Sequence, residues 1–136
     1  MKLIIISFYL FASSSAVYAQ SAECGVKRIS YFYDRKEVLV REDVCLYKNK
    51  ATSKECLNPY NDRCFIKIEK DVGYKLRDLM SSTSSPGFTL CHKINGSPQL
   101  YAIEIKKGIW KEFERCISED KKQFVDMADL MDRLLI

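Results

Sequence analysis

Leu100-Tyr101-Ala102-Ile103-Glu104-Ile105, followed by Lys106-Lys107-Gly108 and then Ile109-Trp110-Lys111-Glu112-Phe113-Glu114-Arg115, decides the fold; Cys91 and Cys116 bracket it. Tyr101, Ile103 and Ile105 fall on one side of an extended chain, with Leu100, Ala102 and Glu104 on the other. That period of two is the signature of a half-buried strand. Gly108 suits the positive-φ position that closes a three-residue hairpin loop. The favoured register sets Ile105 opposite Ile109, Ile103 opposite Lys111 and Tyr101 opposite Phe113. A two-residue loop would instead pair Ile105 with Trp110 and Glu104 with Lys111. The first choice keeps one face mostly apolar, and slipping by one residue would turn every side chain over.

The N-terminal half repeats this layout without repeating its residues. Cys24 precedes a strand-like run, Ile29 to Tyr33. Asp34-Arg35-Lys36 reads as a turn, and Glu37 to Arg41 as a second strand leading to Cys45. The two halves, 24–80 and 88–136, form a candidate pseudo-repeat joined by the Ser-rich linker 81–87. All six cysteines, Cys24, Cys45, Cys56, Cys64, Cys91 and Cys116, lie beyond residue 19. An even number behind an export signal points to disulfides in an oxidising compartment. If the repeat governs the pairing, it selects Cys24–Cys45 and Cys91–Cys116, leaving Cys56–Cys64. Metal ligation would need closely spaced cysteine pairs, which are absent, and the chain has one histidine. No metal and no cofactor are expected.

Residues 1–19 read as that signal. Lys2 supplies the charge, Leu3 to Ala12 the apolar segment, and Val17-Tyr18-Ala19 the small-residue cleavage site. Cleavage after Ala19 leaves residues 20–136 as one disulfide-rich secreted or periplasmic domain. No later stretch approaches the ~18 apolar residues of a spanning helix. The charge is +4, from 22 basic against 18 acidic side chains, too balanced for nucleic-acid binding.

The remaining elements are short. Cys64 to Glu69 reads as a strand. Asp71 is a candidate N-cap for a helix to about Met80, with Val72, Leu76, Leu79 and Met80 on one face. Phe88 to Ile94 alternates like a strand, but Asn95-Gly96 and Pro98 after it favour a short helix. Lys122 to Val125 is a third C-terminal strand. Asp126 then caps a helix from Met127 to Leu135, with Met127, Leu130, Met131 and Leu134 as its apolar stripe. The expected class is therefore α+β: a small disulfide-stapled domain of short antiparallel hairpins with two or three helices.

No catalytic signature emerges. His92 stands beside Cys91 and Lys93, neither of which can orient it as a base. Six cysteines that can all pair leave no thiolate, and no G-x-S-x-G occurs. Glu104, Glu112, Glu114 and Asp126 are acidic and near the central hairpin, which makes them candidates for a carboxylate pair and nothing more. Asn95-Gly96-Ser97 is either a glycan acceptor or a plain turn. Trp110, Tyr101, Tyr31 and Tyr33 are aromatics on predicted strands and the candidate binding residues for a protein or glycan partner. Whether Trp110 is core or surface stays open.

The Cys91–Cys116 segment, with Asn95-Gly96 after the first cysteine and strands before the second, resembles small bacterial secreted cysteine-rich domains labelled haemolysins. It departs from them in having Pro86-Gly87-Phe88 where Asn-Pro-Ala opens that pattern. It also lacks their further cysteine and tryptophan, so no activity is carried over. The leading reading is a non-enzymatic secreted or periplasmic binding or accessory protein. A small hydrolase using carboxylates or His92, and a structural envelope protein, are the alternatives.

Overall fold

The computed structural model describes residues 22–68 and 72–136. The expected export signal and cleavage site, Glu69 and the expected N-cap Asp71 lie outside the described residues. β1 (Glu23–Tyr33) and β2 (Lys36–Tyr47) form a long hairpin, and β3 (Lys50–Thr52) returns along β2. Helix α1 (Pro86–Lys93) precedes a second hairpin of β4 (Ser97–Lys106) and β5 (Ile109–Ile117). β6 (Phe124–Asp126) and helix α2 (Met127–Leu134) end the chain.

These strands make one antiparallel sheet in the order β3-β2-β1-β4-β5-β6. The sheet curls until its two edges nearly meet. There the Ser53 backbone N–H donates to the Phe124 carbonyl at 3.0 Å, and the Phe124 N–H donates to Ser53 Oγ at 3.1 Å. The expected α+β arrangement of short hairpins is thus wrong: the described residues are mostly antiparallel β, a nearly closed six-stranded barrel with two short helices. The reason is strand length. β1 has 11 residues and β2 has 12, because Lys27, Arg28, Glu42 and Asp43 continue the ladder rather than end it. A twisted sheet that long curls, and joining its edges hides the unpaired backbone groups that an open sheet would expose.

Three tight turns carry the hairpins. Asp34 and Arg35 both sit at positive φ, as do Lys48 and Asn49 before β3, the pattern of two-residue turns matched to strand twist. In the central hairpin Tyr101 faces Phe113 and Ile103 faces Lys111, the favoured register. Its end differs. Lys106 pairs with Ile109 and the register shifts between Glu104 and Lys106, so Ile105 does not face Ile109. Gly108 takes φ 77°.

Two apolar clusters result. Ile29, Val44, Ala51, Tyr101, Ile103, Phe113 and Phe124 fill the barrel. Leu79, Leu90, Val125, Leu130 and Leu134 gather around the helices with the sulfurs of the two later disulfides. The disulfides join Cys24 to Cys45, Cys56 to Cys64 and Cys91 to Cys116, the pairs the repeated layout selects. Cys24 and Cys45 face each other directly across the β1–β2 ladder. With no helix among the described residues long and apolar enough to cross a membrane, the disulfides fit an extracellular or otherwise oxidising compartment.

Other expectations need correction. The segment before Met80 is no helix; it has one 3-10 turn, Leu76–Leu79, and of the proposed stripe only Leu79 is buried. Tyr74 instead pairs in parallel with Leu135, its N–H donating to the Leu134 carbonyl at 2.7 Å. Gly73 permits that approach, since a Cβ there would press on the Leu134 carbonyl. Residues 64–68 form no strand either; the Gln123 side chain takes over, accepting from the Phe65 N–H and donating to the Arg63 carbonyl, both at 2.7 Å. The end of the Ser-rich linker is structured, with Ser85 capping α1 and Pro86 opening it. At the far end of α1, Asn95 adopts φ 62°, and its N–H and that of Gly96 reach back to the His92 and Cys91 carbonyls. That is a Schellman stop made with asparagine.

Candidate functional site

The two long hairpins adjoin over a very short distance. β1 and β4 pair only at Ile29–Ile103 and Ser30–Ala102. Beyond those pairs the strands part, and a cleft of about 650 Å3 opens between Tyr31-Phe32 and Leu100-Tyr101. Because side chains alternate across a sheet, this gap has two kinds of wall. Tyr31, Tyr101 and Phe113 come from the barrel side and Met127 from the start of α2. Phe32 and Leu100 come from the solvent side. Phe32 is 74% exposed and Leu100 61%, and Leu39, on the same outer face of β2, is 55% exposed. Scattered apolar surface is ordinary, but two such side chains flanking one opening, with a third on the same face, are not.

The barrel interior beneath is polar in one place. Arg115 is buried, lies 4.2 Å above the Tyr101 ring and 4.7 Å from the Phe124 ring, and forms an ion pair with Glu42 at 2.7 Å. Its Nε donates to Gln99 Oε1 at 2.8 Å. Tyr101 itself is 3% exposed, and its hydroxyl has no hydrogen-bond partner among the described residues. Burial pushes that phenol well up, so it is a neutral donor at any ordinary pH. Asp126, also on the cleft, accepts from the Ala128 N–H at 2.9 Å as the α2 cap. Burial raises its pKa, an effect opposed by the cap bond.

The structure divides the four aromatic candidates. Tyr31 and Tyr101 line the same cleft. Tyr33, 74% exposed, ends β1 outside its lining. Trp110 is 38% exposed on the other side of the sheet from Tyr101 and Phe113, with the Arg28 guanidinium 5.5 Å over its ring. Arg28 also pairs with Glu104 at 3.1 Å, so Glu104 is already engaged. Glu112, Glu114 and Asp126 do come together around the cleft. His92 is exposed on α1 and lines no part of it.

Sequence reasoning missed Arg115, Gln99 and Glu42. The signal was available: Arg115 and Phe113 are two apart on β5, as Gln99 and Tyr101 are on β4, so period two places each inward. No family model, curated protein or solved structure matches the chain, and the haemolysin-like layout of Cys91–Cys116 therefore gains no support.

Proposed function

We propose that the chain is an exported, non-enzymatic binding protein, secreted or periplasmic, with residues 1–19 as the signal removed after Ala19. It captures another protein at the cleft between β1 and β4. The observation that supports this most is Phe32 and Leu100, apolar and solvent-exposed, flanking an opening floored by Tyr31, Tyr101 and Phe113. Aromatic-lined pockets of this kind suit an apolar anchor side chain from a partner. The disulfide-stapled barrel holds the walls rigid, which lowers the ordering cost of binding.

The test uses mature, oxidised protein immobilised against periplasmic extract or culture medium, beside a Leu100→Asp variant. A partner retained by the wild type and lost by the variant is expected. Turnover of glycoside, ester or peptide substrates with no partner recovered would overturn the reading in favour of a hydrolase.

A further inference from the structure

We infer that the cleft between β1 and β4 takes a cationic peptide segment, one large apolar side chain flanked by lysine or arginine. This rests on the cleft being the binding site, as proposed above. Three observations lead to it.

The first is charge. Glu112 and Glu114 line the cleft from the exposed side of β5, and the buried Asp126 lines it from the end of β6. Glu37, exposed at the start of β2, is held beside the cleft-lining Ser30 by the Ser30 hydroxyl at 2.9 Å. None of these four carboxylates has an ion-pair partner among the described residues. The chain as a whole is basic, at +4. The outer-face arginine nearest along β1, Arg28, is committed to Glu104 and Trp110. Against these carboxylates stands the ammonium of Lys111, 3.3 Å from the cleft-lining Asn49. An apolar opening with this excess of negative charge selects a partner of opposite sign.

The second is Tyr101. Its buried hydroxyl lacks a partner among the described residues, and its ring lines the cleft. A buried donor left unpaired is costly, and a peptide carbonyl that parts the cleft walls on binding would satisfy it. The third is the backbone. β1 and β4 stop pairing at Ser30–Ala102, although both strands continue. An extended segment, with alternate side chains pointing in and out, fits such a gap better than a helix does.

The experiment is selection of a random octapeptide library, displayed on phage, against immobilised oxidised protein, with Leu100→Asp protein as the parallel target. Expected are peptides carrying an aromatic or large aliphatic residue beside lysine or arginine. Their affinity should fall about tenfold between about 50 and 500 mM NaCl, as exposed charges are screened. A Glu112→Gln, Glu114→Gln double variant, folded by circular dichroism, should lose several-fold in affinity for them. Enriched peptides that are apolar without basic residues, and still lost on Leu100→Asp, would overturn the charge inference and leave the cleft as the site. Peptides that bind the Leu100→Asp protein equally, or no enrichment at all, would overturn both.

Discussion

Arg115 Nη1 donates to Glu42 Oε2 at 2.7 Å, although β5 and β2 are not neighbours in the sheet. The contact exists because the sheet curls. It also sets the energetics of the barrel interior, since the Arg115 side chain is 3% exposed and that of Glu42 35%. Truncating Arg115 removes its packing on the Tyr101 and Phe124 rings and leaves a cavity, while Glu42 stays partly in water. Arg115→Ala should therefore destabilise by about 2–5 kcal/mol, as large-to-small changes in a core do. Glu42→Gln should cost less, because water reaches that carboxylate and the amide still accepts a hydrogen bond. A double Arg115→Met, Glu42→Leu variant should be more stable than Arg115→Ala alone. Urea unfolding of the three variants checks the order; equal losses for Arg115→Ala and Glu42→Gln would contradict it.

Barrel closure depends on Ser53. Its hydroxyl donates to the Phe124 carbonyl at 2.9 Å and accepts from the Phe124 N–H. Thr52 Oγ1 also donates to that carbonyl, at 3.0 Å. Ser53→Ala leaves the Phe124 N–H buried without an acceptor, at a cost of about 1–3 kcal/mol. Thr52→Val removes one of several donors to the carbonyl and should cost less. Amide exchange at Phe124 should quicken in Ser53→Ala and stay slow in Thr52→Val.

Particular residues show what could be read from the sequence. Tyr101, Ile103 and Phe113 gave the central register because one face of that hairpin is buried, and burial writes a period of two. Asp126 and the stripe after it gave α2 for the same kind of reason, at helical spacing. The barrel was not legible. Its closing bonds are made by Ser53, a small polar residue outside any strand, to a partner 71 positions away. The cleft was hidden likewise: it arises where β1 and β4 cease to pair, and nothing local marks that end. The false helix before Met80 failed because Val72, Leu76 and Met80 are spaced for a helix, while Gly73 and Tyr74 are used in extended pairing with the C-terminus.

The free hydroxyl of Tyr101 gives a test in which stability and binding move oppositely. Tyr101→Phe removes a buried, unpartnered polar atom and keeps the ring under Arg115. The variant should be more stable by about 1 kcal/mol. If the hydroxyl serves a bound peptide, affinity for selected peptides should fall in the same variant. Thermal unfolding and peptide titration on one preparation read both; a loss of stability would mean that the hydroxyl is satisfied in the free protein.

Asp126 makes stability depend on pH with a definite sign. Burial raises its folded pKa above the unfolded value, with Asp129 adding to the rise and the Ala128 bond and Lys50 opposing it. The folded state therefore holds this proton to higher pH than the unfolded chain does. The resulting stability is fully present below the unfolded pKa and is lost as pH rises through the folded one. Asp126→Asn keeps a capping oxygen for α2 but removes the charge that burial penalises. Relative to wild type, the variant should gain stability as pH climbs from about 4, near an ordinary carboxylate value, to 7. Denaturant midpoints across that range supply the measurement. A difference that stays flat, or that favours wild type increasingly toward neutrality, would show that the cap bond and Lys50 outweigh burial at this carboxylate.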